Sequence, residues 1–170
     1  FDVQVFSKEL LPQSGGFIIA TNHPHGFFDG LAAIWLGSQG GYDSRAIGRH
    51  FLSVFDPIKH LFLLIKLDDK KQASTGAEIA RQSAVFVKQG GRLSICPAGR
   101  LSHSKPIYKK PQDTAWKSGA IRISQQANAP IVLVHIDTPH SISRQFFQRI
   151  HPVVRALTQV WAFRLGKGQQ

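Results

Sequence analysis

The amino-acid sequence predicts an α/β domain in which a mostly parallel central sheet is flanked by helices. Two observations predict this fold class. Short apolar runs bounded by Gly, Pro or polar residues alternate along the chain with longer segments of helical periodicity. Within the runs the apolar residues are consecutive, which is typical of parallel strands buried on both faces. With 170 residues, 42% of them hydrophobic, the chain is long enough for one core, and we expect a single domain over 1–170.

Five segments are predicted as strands. In chain order they are GFIIAT (16–21), SRAIG (44–48), LLIKL (63–67), RLSIC (92–96) and PIVLVHI (130–136), of which 44–48 has the weakest pattern. Ligands of open parallel sheets bind beyond the carboxyl ends of the strands. The polar loops 22–29 and 97–105 directly follow two of these strands, so they are the expected place of a functional site.

Helical patterns occupy the stretches between the strands. We predict helices over 29–37, 74–88 and 113–127, the first beginning at Asp29 and the last at a capping Asp113. Alternation of these helices with the strands is what a largely parallel sheet requires, because each crossover returns the chain to the same edge.

The two ends of the chain carry separate expectations. In the segment 141–165, apolar residues recur at helical spacing with arginines between them, which predicts an amphipathic helical segment. Such a segment either docks on the sheet or lies on a membrane surface. The chain begins at Phe1 and contains no methionine, so we expect it to be trimmed at its N-terminus.

Positive charge is the unusual property of the composition. Lys and Arg exceed Asp and Glu by 21 to 10, giving a formal net charge of +11, which favours nucleic acid, acidic lipid, phosphorylated substrates or an acidic carrier protein. A single cysteine excludes an internal disulfide and fits a reducing compartment. No apolar run reaches the roughly 18–20 residues that a membrane span needs.

The loop after the first predicted strand contains groups suited to acid–base chemistry. A histidine takes a proton well when a carboxylate fixes its other ring nitrogen, and either His23 or His25 could meet Asp29 in this way. The alternative is a capped helix with both histidines as ordinary loop residues. A His-x-His pair after a strand also resembles the first ligands of amidohydrolases. The later histidines lack the matching pattern and the chain is too short for that barrel, so no metal is expected.

The stretch NHPHGFFDG (22–30) resembles the Asn-His-Pro-x-Gly-x-x-Asp-Gly block of the glycerolphosphate/lysophospholipid acyltransferase superfamily, especially its bacterial hemolysin-like and ornithine-lipid branches. The resemblance implies that His23 is the general base and Asp29 its partner. It also implies that Asn22, His25 and Gly26 help to bind substrate, with His25 filling the variable position.

Two later stretches resemble further blocks of the same superfamily. In RAIGRHFLSVFDPIKHLFLLIKLDDKKQAS (45–74), Arg49 matches a basic, substrate-facing position. LSICPAGRLSHSK (93–105) resembles the Phe-Pro-Glu-Gly-Thr-Arg-Ser block, with Ala98 in place of the glutamate and Leu101 in place of the arginine. Its implied substrate-binding residues are Pro97, Ala98, Gly99, Arg100 and Ser102. APIVLVHID (129–137) resembles the fourth block, an apolar strand beside the acyl chain.

The resemblance implies an acyltransferase of phospholipid metabolism. Such an enzyme moves a fatty acyl group from acyl-CoA or acyl carrier protein to a hydroxyl or amine of a lysolipid-like acceptor, without a cofactor. We expect it to lie on an anionic membrane, at the cytoplasmic face of the inner membrane, as a peripheral protein. The alternatives are a nucleic-acid-binding domain, supported by charge alone and lacking a basic stripe interleaved with aromatics, and a thioesterase or other hydrolase using the same pair of residues. We expect no nucleic acid partner.

Overall fold

The computed structural model describes residues 3–54, 56–65, 72–106 and 108–137. Its regular elements alternate between strands and helices, as the sequence predicts. The strands are β1 (Phe17–Thr21), β2 (Ser44–Arg49), β3 (Phe62–Ile65), β4 (Arg92–Ile95) and β5 (Ile131–Val134). The helices are α1 (Phe27–Ser38), α2 (Gln72–Lys88) and α3 (Gly119–Ala127), with short 3₁₀ turns at Lys8–Leu10, His50–Val54 and Lys59–Leu61.

The strands form one five-stranded sheet in the order β3-β2-β4-β1-β5, and every pairing in it is parallel. This arrangement confirms the predicted fold class, an α/β domain with a parallel central sheet flanked by helices. β1, which leads into the polar loop 22–29, is paired on both edges, with β4 on one side and β5 on the other. Ala20 of β1 lies opposite Ile95 of β4, so the loops that follow these strands leave the sheet side by side.

Consecutive residues of β1 serve opposite faces of the sheet, since side chains alternate along a strand. Phe17 and Ile19 are fully buried and pack with Ala33 of α1 on one face. On the other face Ile18 packs with Leu93 of β4 and with apolar residues of α2 and α3. The apolar residues of β1 are therefore consecutive because both faces are covered, which is the physical basis of the sequence pattern.

The element bounds differ from the sequence-based ones mainly at α3. The predicted helix 113–127 begins only at Gly119. The carboxylate of Asp113 accepts hydrogen bonds from the backbone N–H of His23 and the indole N–H of Trp116 instead of capping a helix. α1 and α2 each begin two residues earlier than predicted, and β3 is described only to Ile65. The predicted segment 141–165 lies outside the described residues.

No helix within the described ranges combines the length and apolar character needed to cross a bilayer.

Candidate active site

The two loops singled out by the sequence meet at the carboxyl edge of the sheet. The loop after β1 contains His23, and the turn after β4 runs from Pro97 to Ser102. The backbone N–H of Ser102 donates a hydrogen bond of 2.9 Å to the carbonyl oxygen of His23. Because β1 and β4 are parallel neighbours, this contact follows directly from the sheet topology. The two loops are therefore in direct contact at this edge of the sheet.

His23 and Asp29 form the predicted side-chain pair. The Nδ1 atom of His23 lies 3.0 Å from Oδ2 of Asp29, whose side chain is 1% exposed, while the His23 side chain is 23% exposed. The neighbouring His25 does not use its ring in this pair. It donates its backbone N–H to Asp29 at 2.8 Å, and its ring packs edge-on against Phe28, with ring centroids 4.9 Å apart. Of the two pairings that the residue types allow, the structure forms the one with His23.

Gly26 determines how the loop turns into α1. Its φ of 106° lies in the region that side chains with a Cβ avoid, so glycine is required at this bend. The bend directs the N–H of Gly26 to Oδ2 of Asp29 at 2.7 Å, and the N–H of Asp29 back to the carbonyl of Gly26 at 3.1 Å. Asp29 thus satisfies N–H groups at the start of α1 and holds the His23 ring with the same oxygen atom.

Cys96 also contacts the His23 ring. Its Sγ atom lies 3.4 Å from Nδ1 of His23 and 3.4 Å from Oγ1 of Thr21. Both Asp29 and Cys96 therefore approach the same ring nitrogen, which leaves Nε2 as the nitrogen that can face a substrate. Cys96 and Asp29 therefore do not form a Cys-His-Asp triad with His23, because in a triad the nucleophile and the orienting carboxylate contact opposite nitrogens of the ring.

The pKa of His23 is raised from its ordinary 6.5 to about 10. Burial of the ring opposes this change and by itself lowers the pKa, because a charged imidazolium loses hydration. Hydrogen bonds to Asp29 and Cys96, together with electrostatic attraction to these two groups, favour the imidazolium by more than burial disfavours it. In the free protein the ring is therefore predominantly protonated at neutral pH.

The Pro97–Ser102 turn presents charge beside the His23–Asp29 pair. Gly99 has a φ of 67° and closes the turn by donating its N–H to the carbonyl of Cys96 at 3.0 Å. Arg100 is exposed, whereas Pro97 and Ala98 are buried. The exposed part of the turn therefore consists of Gly99 and Arg100, with the buried residues fixing it to the sheet.

Of the other predicted substrate-binding residues, Asn22 and Ser102 hold the loops in place, and Arg49 lies exposed at the same edge of the sheet. The side-chain amide of Asn22 donates to the carbonyl of Ile136 at 2.9 Å and accepts from its N–H at 2.7 Å, which ties the end of β1 to the chain after β5. Ser102 is buried and donates its hydroxyl to Asp113. Arg49 ends β2 at the same edge of the sheet, with its side chain exposed. Direct contact of these side chains with a substrate stays a prediction.

Two residues near the site were not identified from the sequence. Asp113 joins both loops through its carboxylate, which accepts hydrogen bonds from His23 and Ser102. Lys117 donates its backbone N–H to Pro97 at 3.1 Å, and its ammonium lies 3.6 Å from where a side chain on Gly99 would begin. Lys117 therefore adds a second cation to the exposed turn. Both residues lie in the segment predicted as the helix 113–127, and only the tertiary structure brings them to the site.

No protein-family model matches the sequence, and no curated protein matches it. Among solved structures, the chain resembles a hexameric APS kinase from Thiobacillus denitrificans with a TM-score of 0.39 and 10% sequence identity. The alignment covers 76% of this chain and 24% of the kinase chain, so the chain spans about a quarter of that protein's length. A similarity this weak carries no argument about family or activity.

Replacing Asp29 with Asn should lower the pKa of His23 from about 10 toward its ordinary 6.5, because a neutral amide does not stabilise the imidazolium. NMR titration of the ring measures this change, and His25→Ala, which should leave the pKa near 10, is the matched control. The wild-type contact should also make stability depend on pH. Because the pKa of His23 is higher in the folded protein than in the unfolded chain, protonation of this ring stabilises the folded protein. The stabilisation is complete below about pH 6.5 and is lost as the pH rises through about 10.

The advantage of wild type over Asp29→Asn in the free energy of unfolding should therefore shrink between those two pH values, as measured by chemical denaturation. An advantage that stays constant, or a His23 pKa that Asp29→Asn leaves unchanged, would show that the pair is not coupled.

Proposed function

We propose that this protein is an acyltransferase that moves a fatty acyl group from acyl-CoA or acyl carrier protein to a lysolipid-like acceptor. The observation that carries the proposal is the 3.0 Å contact between His23 and the buried Asp29 beside the Pro97–Ser102 turn. This arrangement pairs an oriented base with exposed cations at the carboxyl edge of a parallel sheet. The sequence resemblance of both loops to the acyltransferase superfamily is the second support.

The proposed reaction uses His23 as a general base. In the neutral ring, Nδ1–H donates to Asp29, and the lone pair of Nε2 takes the proton of the acceptor hydroxyl or amine. The acceptor oxygen or nitrogen then attacks the thioester carbonyl carbon, and the C–S bond breaks. The imidazolium of His23 gives its proton to the leaving thiolate, which departs as a thiol and leaves the ring neutral again. Asp29 stabilises the imidazolium between these two steps. The reaction needs no metal or cofactor and no covalent intermediate on the protein.

Substrate binding is assigned to the exposed positive charge of the turn. Arg100 and Lys117 flank Gly99 and can contact phosphate groups of either substrate. Arg49 at the end of β2 can add a third cation from the same edge of the sheet. Lysolipids, CoA and acyl carrier proteins all carry negative charge, so these cations suit both the donor and the acceptor.

The proposed location is the cytoplasmic face of the inner membrane, with peripheral binding to anionic lipid. The strongest local support is the loop closed by the backbone hydrogen bonds between His103 and Gln112. Lys105, Tyr108 and Lys109 of this loop are exposed. Lysines attract anionic headgroups, and a tyrosine places an apolar ring at the boundary between lipid and water.

His23→Ala should abolish acyl transfer, whereas His25→Ala should retain most of it, because only the ring of His23 contacts Asp29. The measurement uses labelled acyl-CoA or acyl carrier protein with a panel of lysolipids and amine-bearing lipids. For wild type, kcat/KM should rise with pH toward about 10, since the neutral ring is the active form. Full activity of His23→Ala would exclude His23 as the base. Acyl release that does not depend on an acceptor would instead indicate a thioesterase.

Cys96→Ala should shift the rising limb of that pH profile to lower pH, because it removes a group that raises the pKa of His23. Activity at neutral pH should therefore be maintained or increased. Cys96→Ser is the matched variant, since a hydroxyl retains a hydrogen bond without the thiol's acidity. A loss of activity of about a hundredfold or more in Cys96→Ala would identify the thiol as a nucleophile and contradict the mechanism.

Lys105→Glu combined with Lys109→Glu should weaken binding to vesicles that contain anionic lipid. Each lysine near an anionic membrane contributes about 1 kcal/mol, so the double variant should lose roughly thirtyfold in affinity or more. The matched control is Lys8→Glu with Lys88→Glu. Either pair of substitutions lowers the formal net charge by 4, from +11 to +7. Equal weakening by both pairs would show that net charge alone acts. Binding to DNA but not to vesicles would favour a nucleic-acid-binding domain.

A further inference from the structure

The carboxylate of Asp113 lies at the junction of the two loops that form the candidate site. Its Oδ1 atom accepts hydrogen bonds from the backbone N–H of His23 at 3.2 Å and from the hydroxyl of Ser102. Its Oδ2 atom accepts from the indole N–H of Trp116 at 2.8 Å. Three donors from three different places in the chain therefore converge on one side chain.

Two hydrogen bonds fix the backbone of His23, one at its N–H and one at its carbonyl. The N–H of His23 donates to Asp113, and its carbonyl accepts the N–H of Ser102 at 2.9 Å. The ring is fixed separately, through Asp29 and Cys96 at Nδ1. Asp29 and Cys96 thus determine the orientation of the imidazole, whereas the position of the His23 backbone relative to the Pro97–Ser102 turn depends on Asp113 together with the Ser102 N–H.

We propose that Asp113 is a positioning residue, which holds the backbone of His23 at a fixed distance from the exposed turn that binds substrate. The activity part of this proposal rests on the function proposed above, but the structural part does not. Asp113 acts through His23 and does not itself need to touch a substrate. A displacement of about 1 Å at a reacting group can lower a rate by roughly a hundredfold, so a fixed backbone has a direct kinetic effect.

A carboxylate is the group that this junction requires. Its two oxygens only accept hydrogen bonds, and the His23 N–H and the Trp116 indole N–H only donate. In Asp113→Asn, the amide oxygen can still accept from His23, but the amide N–H₂ then faces the indole N–H. Removing the indole donor with Trp116→Phe should relieve this conflict. The double variant Asp113→Asn with Trp116→Phe is therefore expected to recover what Asp113→Asn alone loses.

Asp113→Ala should lower kcat for acyl transfer roughly a hundredfold while changing KM for the donor by less than about threefold. The pH midpoint of the rate should stay where it is in wild type, because Asp29 still contacts the ring. Asp113→Asn should lose less, and its combination with Trp116→Phe should return to the activity of Trp116→Phe alone. Thermal unfolding midpoints measured in parallel ensure that all rates are compared on folded protein.

Hydrogen exchange followed by NMR tests the same proposal without a substrate. The amide of His23 should exchange at least tenfold faster in Asp113→Ala than in wild type, while Asp29→Asn should leave that amide protected. If wild type transfers no acyl group but this exchange result holds, the proposed function fails and the positioning role of Asp113 stands.

Three results would overturn the positioning role. The first is an unchanged exchange rate of the His23 amide in Asp113→Ala. The second is a lower unfolding midpoint with kcat intact below it, which would identify a purely structural residue. The third applies if Asp113→Ala does not fold. In that case, the role would be contradicted if Asp113→Asn with Trp116→Phe recovers none of the activity that Asp113→Asn loses.

Discussion

The Oδ2 atom of Asp29 holds the candidate site together, because it accepts the N–H groups of His25 and Gly26 and also contacts Nδ1 of His23. Burying a carboxylate costs several kcal/mol unless hydrogen bonds or opposite charge compensate. Here the backbone N–H groups at the start of α1 and the imidazolium of His23 both compensate. The helix start and the His23 ring are therefore stabilised by one charge, and changing that charge perturbs both.

α1 is fixed at its other end by a charge of opposite sign. Arg92 of β4 is almost fully buried and donates to the carbonyls of Gly37 at 3.2 Å and Gln39 at 2.9 Å. Its guanidinium stacks on Tyr42, 3.6 Å from the ring centroid. An anion at the N-terminus and a cation at the C-terminus both match the helix dipole. Since Asp29 belongs to α1, this second anchor keeps the carboxylate in place and supports the His23 contact from the opposite edge of the sheet.

The sequence predicts the sheet well and the site in part. Buried parallel strands are consecutive apolar runs, and runs such as 16–21 and 92–96 leave few alternatives. The partner of Asp29 is harder to predict, since residue types permit either histidine, and the resemblance alone favours His23. The structure forms the pair with His23, in a loop that bends at Gly26 with a positive φ, and neither feature can be read from one sequence. Asp113 was missed because its bond to His23 joins positions 90 residues apart, while locally it resembles a helix cap.

The raised pKa of His23 limits what the site can do at neutral pH. With a pKa of about 10, only a small fraction of the rings is neutral at pH 7, although the neutral ring is a stronger base than an ordinary histidine. General-base catalysis is most effective when the pKa lies near the working pH, so part of this shift is unfavourable for the proposed reaction. Asp29 cannot be the adjustable component, because it also builds the start of α1. Cys96 can, because it raises the same pKa through its contact with Nδ1 at 3.4 Å and does not contribute to the start of α1. The residue at position 96 thus sets part of the His23 pKa, although the sulfur itself takes no part in the bond changes of the proposed reaction.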